Sequence, residues 1–264
     1  MKQNHDNPTM VWESLWRDGI TPWDLGGPTP VLMAELQEQQ ERYHPKNSWK
    51  PTTCLIPGCG SGYDVVALGR YLDSQSPRAP DNHDGPQQEQ HHQQQQQRYT
   101  IVGLEVTETP LHRARTIIQD SLDRDGPFSS QTTILLLQGD FFHDPSTWTL
   151  YFGTNIESSH STKSPCQPIL SSNQTFSFIF DYTFFCAIPP TQRVSWGQQM
   201  ERLLAPNGKL LTLMFPHHPL AHESTITTTH YQGPPYLVSK EMYQATFQEP
   251  SSRLVMETPL PYAS

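Results

Sequence analysis

The stretch Leu55-Ile56-Pro57-Gly58-Cys59-Gly60-Ser61-Gly62-Tyr63-Asp64 joins a short apolar segment to the start of an amphipathic one. Glycines in such a turn let the backbone approach a ligand, and they present the N–H groups at the start of a helix. The spacing is Gly-x-Gly-x-Gly, and Tyr63 stands where the dinucleotide-binding pattern has its third glycine. The turn therefore favours a ligand without pyrophosphate over NAD, with Gly58 and Gly60 beside that ligand.

Strand and helix patterns alternate on both sides of this turn. Strands are predicted at 53–57, 99–105, 132–138, 176–182 and 209–215. Helical spacing of apolar residues follows the turn as far as Leu72, recurs from Leu111 to Leu122, and recurs again over 192–204 before Pro206-Asn207-Gly208. Such alternation predicts an α/β fold, a doubly wound and mostly parallel Rossmann-like sheet, formed by a single domain over residues 1–264.

Two stretches have a composition that is poor in core-forming residues. Residues 74–98 are rich in Gln and His, and residues 145–172 are rich in Ser, Thr and Pro. Both are predicted to be surface insertions, the first of them disordered, because they carry little apolar surface. His91 and His92 have no Cys or carboxylate partner at ligand spacing, so no metal site is predicted.

Charge and cysteine content narrow the class of protein. The chain has 264 residues, a formal net charge of -9 and a pI near 5.7, which argues against nucleic-acid binding. No apolar stretch is long enough to span a bilayer, and the first nine residues are polar. The four cysteines lack the spacing of a disulfide scaffold. We therefore expect a cytoplasmic, monomeric protein that contacts neither nucleic acid nor membrane.

Polar and aromatic residues follow the predicted strands at their carboxyl ends, where doubly wound sheets bind ligands. They are Glu105, Asp140 and Tyr182. Glu105 is placed to accept hydrogen bonds from both hydroxyls of a ribose. The alternative to a ligand site is that the glycines only form a turn and that Glu105 is a solvated surface residue.

Three tryptophans lie within the first 30 residues. Trp12 and Trp16 are four residues apart and share one face of a helix, and Trp23 follows Thr21-Pro22. Two interpretations fit: the rings pack against the core as a hydrophobic staple, or residues 1–30 form an aromatic lid over a cationic ligand.

Several motifs in order along the chain carry a family resemblance. They are Trp12-Glu13-Ser14-Leu15-Trp16, residues 19–24, residues 57–65, Gly139-Asp140-Phe141-Phe142 and residues 180–188. Together they resemble the plant thiol and halide methyltransferases within the thiopurine S-methyltransferase family. The resemblance implies the fold of class I S-adenosylmethionine-dependent methyltransferases and implies S-adenosylmethionine as cofactor. It places at the cofactor Trp12, Trp16, Trp23, Gly58, Gly60, Glu105, Asp140, Phe141 and Tyr182.

The resemblance also implies a reaction. A methyl group would pass by in-line displacement to a small thiol, thiocyanate, hydrosulfide or halide, none of which needs a strong base near neutral pH. Asp140 would accept from the adenine amino group, with Phe141 beside the ring. The substrate pocket would contain Phe184, Phe185, Arg193 and Tyr236, with Tyr182 and Arg193 acting in catalysis. Arg193 would attract the anion; a surface helix residue is the alternative.

The sequence also departs from the family. Glu105 stands where Asp is usual, residues 217–232 are expanded, and the family's closing basic stretch is missing, so that one sheet edge is expected to lack its final strand. These departures keep two other functions open. One is S-methylation of a larger secondary metabolite, and the other is S-adenosylmethionine binding without turnover.

Overall fold

A six-stranded sheet forms the centre of the protein in the computed structural model, which describes residues 8–42, 51–75, 97–156, 168–216 and 234–247. The spatial order of the strands is β4-β3-β2-β1-β5-β6, and every neighbouring pair is parallel except β3 with β4. The strands are β1 Thr53–Pro57, β2 Tyr99–Glu105, β3 Thr132–Gln138, β4 Thr149–Gly153, β5 Phe176–Asp181 and β6 Leu204–Thr212.

Helices connect the parallel strands, and residues 8–30 form an N-terminal arm before β1. They are α1 Pro8–Arg17, α2 Pro30–Arg42, α3 Tyr63–Ser74, α4 Glu108–Asp125, α5 Phe184–Ala187, α6 Arg193–Leu203 and α7 Lys240–Phe247. This arrangement is the predicted doubly wound α/β fold of the class I methyltransferases. In the part of the chain that the structure describes, no helix has the length and apolar character needed to cross a membrane.

The central strands are apolar along nearly their whole length because helices cover both faces of the sheet. One core cluster lies around Leu55, Val102 and Trp196, and the other lies around Ile56, Leu68 and Ile134. Because β1 pairs parallel with β2 on one side and β5 on the other, the carboxyl ends of the three strands lie side by side. The turn after β1 is therefore held at the middle of one edge of the sheet.

The structure differs from the predicted elements at β6 and β4. β6 begins at Leu204 and continues through Pro206-Asn207-Gly208, where a positive φ of 61° at Asn207 and a register shift against β5 form a bulge. The sequence pattern had placed the start of this strand after that tripeptide.

β4 lies inside the stretch 145–172, which composition alone predicts to be a surface insertion. It pairs antiparallel with β3, and the buried Trp148 just before it donates from Nε1 to the carbonyl oxygen of Asp140 at 2.9 Å. The predicted insertion over 74–98, with His91 and His92, falls mostly outside the described residues. The expanded segment 217–232 also falls outside them.

Candidate active site

The glycine turn leaves β1 in a backbone conformation that suits glycine. Gly58, Gly60 and Gly62 have φ values of 61°, 52° and 75°, a region that residues with a Cβ rarely adopt. A Cβ at Gly58 would lie 2.8 Å from the ring of Phe184, and one at Gly62 would lie 2.8 Å from the Cβ of Ala114. The turn is therefore packed closely between α4 and the segment after β5.

Glu105 lies directly under this turn. Its carboxylate accepts hydrogen bonds from the backbone N–H of Gly60 at 3.3 Å and of Val106 at 2.9 Å. The side chain is 8% exposed, and burial raises the pKa of Glu105, while these amide hydrogen bonds oppose that rise. Gly60, Val106 and Thr107 therefore hold the Glu105 carboxylate against the turn.

A cleft of about 500 Å³, including its open mouth, lies over the turn. Its walls come from the N-terminal arm, from the turn itself and from the two residues after β5. The lining residues from outside the turn include Trp16, Trp23, Asp24, Thr29, Tyr182 and Thr183. Aromatic rings therefore face backbone N–H groups across one cavity, a common arrangement for a small-molecule site.

The N-terminal arm is attached to the turn by specific hydrogen bonds. Ser61 Oγ donates to Asp24 Oδ2 at 2.5 Å, and the N–H and Oγ1 of Thr29 donate to Asp64 at 2.6 and 2.5 Å. Burial raises the pKa of Asp64, and the two bonds from Thr29 act against that rise. The arm thus closes one side of the cleft.

The three tryptophans form one aromatic group on this arm. Trp23 lies between the other two, at ring-centroid distances of 5.2 Å from Trp12 and 6.0 Å from Trp16. The guanidinium of Arg113 lies 5.3 Å from the Trp16 ring and donates to the Trp16 carbonyl oxygen at 3.3 Å. Trp16 and Trp23 line the cleft, and Trp12 packs against Trp23.

Asp140 and Phe141 follow β3 on the neighbouring side of Glu105. Asp140 Oδ1 accepts from the N–H of Phe142 at 2.9 Å, and its side chain is 43% exposed. Phe141 is buried and contacts Phe184 edge to face at a centroid distance of 5.0 Å. Phe184 therefore connects this pair to Gly58.

Asp181 at the end of β5 is a residue that the sequence analysis did not single out. It is fully buried; Oδ1 accepts from the N–H groups of Phe184 at 3.0 Å and Phe185 at 3.2 Å, and Oδ2 accepts from Trp196 Nε1 at 2.9 Å. Burial raises the pKa of Asp181 to about 7, although these three donors favour the ionised form. Its position next to Tyr182 at the end of a predicted strand is the sequence signal that could have identified it.

Arg193 and Phe185 lie behind the segment that follows β5. Arg193 is 2% exposed, donates to the Leu237 carbonyl oxygen and the Met242 sulfur at 3.0 Å each, and has its guanidinium carbon 4.9 Å from the Phe185 ring centroid. Phe185 stacks on Tyr243 at 4.1 Å. Neither residue lines the cleft that the described residues form over the glycine turn.

Tyr236 and Cys186 lie in the same region as Arg193 and Phe185. The backbone N–H of Tyr236 donates to the carbonyl oxygen of Cys186 at 2.7 Å, which ties the chain before α7 to α5. The Cys186 thiol is buried, and burial raises its pKa to about 12, in agreement with a core thiol and not a nucleophile.

The predicted residues thus divide into two groups. Those that meet in or directly under the cleft are Trp16, Trp23, Gly58, Gly60, Glu105 and Tyr182. Those that lie in the surrounding shell are Trp12, Asp140, Phe141, Phe184, Phe185, Arg193 and Tyr236.

The cleft suits S-adenosylmethionine in its chemistry. The Trp16 ring packs on Gly60 so closely that a Cβ there would lie 3.2 Å from it, which keeps this position a glycine. The buried carboxylate of Glu105 under the turn suits a ribose, and the indole rings of Trp16 and Trp23 in the cleft lining suit a cationic sulfonium.

Fold and cleft together suit an S-adenosylmethionine-dependent methyltransferase, and comparison with known proteins identifies the family. The sequence profile of thiopurine S-methyltransferase matches residues 8–73 and 169–258. The chain belongs to the thiopurine S-methyltransferase family, and its methyl donor is S-adenosylmethionine.

Two individual relatives agree with this assignment, and one solved structure shares the fold. The chain is 33% identical over 239 residues to a probable thiol methyltransferase 2 of Arabidopsis thaliana, covering 90% of this chain and 72% of that protein. It is 30% identical over 233 residues to thiocyanate methyltransferase 1 of Brassica oleracea, covering 88% and 69%. A structure from a study of thioacetal formation in echinomycin biosynthesis shares the fold, with a TM-score of 0.53, 15% identity and coverage of 92% and 78%.

Proposed function

We propose that this enzyme transfers the methyl group of S-adenosylmethionine to a small sulfur or halide nucleophile: a thiol, thiocyanate, hydrosulfide or halide. The observation that carries the proposal is the aromatic wall beside the glycine turn, where Phe184 packs on Gly58 and Tyr182 lines the cleft. Such a wall suits an acceptor that is already a good nucleophile. The names of the two plant relatives point to the same acceptor class.

Four of the predicted cofactor residues have these tasks in the proposal. Glu105, held by the amides of Gly60 and Val106, accepts from the ribose hydroxyls, and Asp140 accepts from the adenine amino group. Trp16 and Trp23 face the positive charge of the cofactor. When bound, S-adenosylmethionine supplies an electrophilic methyl group.

The chain accelerates the reaction by alignment and by excluding water. An anionic acceptor and a cationic donor have less separated charge in the transition state than before reaction, so a drier pocket lowers the barrier. Holding the acceptor at near-attack distance contributes further. In this proposal Tyr182 and Phe184 form the acceptor wall. Arg193 acts indirectly by holding the chain around Leu237, because it is 2% exposed.

Two further parts of the proposal concern partners and location. The net charge of -9 suits a protein that acts on small molecules and not on nucleic acid, and in this proposal it acts as a monomer in the cytoplasm. Sedimentation equilibrium tests the oligomeric state, and a dimer at micromolar concentration would contradict it.

An acceptor panel tests the proposed function. We expect methyl iodide, methyl thiocyanate or methanethiol in the headspace when purified enzyme is given the cofactor with iodide, thiocyanate or hydrosulfide. Bulky aryl thiols and heterocyclic thiols serve as the matched comparison. Turnover of the bulky thiols alone would assign a larger metabolite as substrate. Cofactor binding with no turnover of any acceptor would contradict the proposal altogether.

A further inference from the structure

A buried carboxylate lies behind the acceptor wall without contacting the cleft. Asp181 is 0% exposed and accepts three hydrogen bonds, two from backbone amides of α5 and one from the indole of Trp196 on α6. Burying a carboxylate is costly, so a buried Asp that takes two of its three hydrogen bonds from one segment constrains the position of that segment.

That segment, residues 182–185, contains Tyr182 and Phe184 of the acceptor wall. The amides that Asp181 binds belong to Phe184 and Phe185, and the Phe184 ring is the group packed on Gly58. Tyr182 and Thr183, which line the cleft, lie between Asp181 and these amides. Movement of α5 would therefore move the wall relative to the glycine turn.

We propose that Asp181 is a positioning residue for methyl transfer: its ionised carboxylate fixes residues 182–185 at the distance from the glycine turn that the acceptor needs. This inference rests on the proposed function, which assigns the acceptor to this wall. Asp181 itself touches neither the acceptor nor the cofactor site.

The charge of Asp181 matters because ionised and neutral carboxyl groups hold the wall differently. An ionised carboxylate accepts from all three donors, whereas a protonated one turns an O–H toward one of them and loses an acceptor. Burial raises its pKa from 3.8 to about 7, so the change falls near neutral pH.

The other ionisable groups around Asp181 do not titrate in that range. Cys186 on α5 has a pKa raised to about 12 by burial, and burial raises the pKa of Tyr243 on α7 well above 10.0. Arg193 on α6 stays charged throughout. A neutral-range transition in the wall therefore belongs to Asp181.

The test is the pH profile of kcat with iodide or thiocyanate, neither of which titrates, at saturating cofactor. We expect kcat of the wild-type enzyme to rise about ten-fold as pH increases through 7, the effect of regaining one charged hydrogen bond. Asp181→Asn mimics the protonated group and should stay flat at the low value. A kcat for Asp181→Asn that equals wild type at pH 8, or that keeps the same inflection, would overturn the proposal.

Trp196→Phe is the matched variant, since it removes one donor and leaves the carboxylate and both amides. Loss of that donor disfavours the ionised form, so the inflection should move to higher pH but remain. In Asp181→Asn the new side-chain NH2 group faces the Trp196 indole N–H, so two donors meet. The double variant Asp181→Asn/Trp196→Phe removes this clash and should fold even if Asp181→Asn does not. Its pH profile of kcat should be flat. An unmoved inflection in Trp196→Phe would count against the inference.

A stability measurement separates failure of the inference from failure of the proposed function, because it needs no acceptor. An acid whose folded pKa is raised stabilises the fold below its unfolded pKa, and that contribution is lost as pH rises to the folded pKa. The melting temperature of wild type should therefore fall relative to Asp181→Asn between about pH 4 and 7. Parallel pH dependences of the two proteins would overturn the inference even if methyl transfer is confirmed.

Discussion

Glu105 shows how one residue joins the turn to the ligand. Its carboxylate is buried and fixed by the amides of Gly60 and Val106, so its position is set before any ligand arrives. Groups that are held in advance bind ligands with less loss of conformational entropy. The Glu side chain is long enough for its carboxylate to reach the amide of Gly60 in the turn.

Replacement of Glu105 tests this role. Glu105→Ala should weaken binding of S-adenosylmethionine and of its demethylated product by about 1–3 kcal/mol, since the charged hydrogen bonds are lost. Glu105→Gln, which keeps the shape and removes the charge, should have a smaller effect. Titration calorimetry measures both, and unchanged affinity in Glu105→Ala would remove this residue from the cofactor site.

At the scale of elements, the sequence predicts the strands well because those strands are apolar and short. The predicted bounds of β1, β2 and β3 agree with the structure, since buried parallel strands have continuous apolar runs. β4 was missed because its neighbours are rich in Ser, Thr and Pro. β6 was placed late because a Pro-Asn-Gly sequence usually marks a turn and here forms a bulge.

The candidate site could be predicted only in part, because the sequence pattern locates strand ends but not the packing between helices. The rule that ligands bind at the carboxyl ends of parallel strands locates Gly58, Glu105 and Tyr182 from spacing alone. The positions of Asp181 and Arg193 depend on how α6 and α7 pack behind α5, and periodicity does not carry that information.

Arg193 links these elements, and its substitution tests the packing. It joins the first turn of α6 to Leu237 in the chain before α7 and to Met242 on α7. Arg193→Met should lower the free energy of unfolding by about 2 kcal/mol, because buried hydrogen bonds from a charged group are lost. The matched control is Arg202→Met on the same helix, where the side chain is 42% exposed and little change is expected.

Thermal unfolding of both variants measures the difference. A stable Arg193→Met enzyme with a raised KM for every anionic acceptor would instead place the guanidinium in contact with the substrate.

At the scale of the whole molecule, three regions far apart in sequence form one site. The N-terminal arm supplies Trp16 and Trp23, the sheet supplies the glycine turn and Glu105, and the segment after β5 supplies the wall. The arm is joined to the turn through Asp24 and Thr29. The family assignment agrees with this arrangement, since the matched regions 8–73 and 169–258 contain the arm, the turn and the wall.

The most direct test of the central claim follows the methyl group itself. Enzyme and S-adenosylmethionine carrying a deuterated methyl group are mixed with thiocyanate, iodide or hydrosulfide, and the volatile product is analysed by mass spectrometry. We predict a trideuteromethyl product formed in equal amount to S-adenosylhomocysteine. Formation of S-adenosylhomocysteine without any labelled volatile product, or of neither compound, would contradict the account.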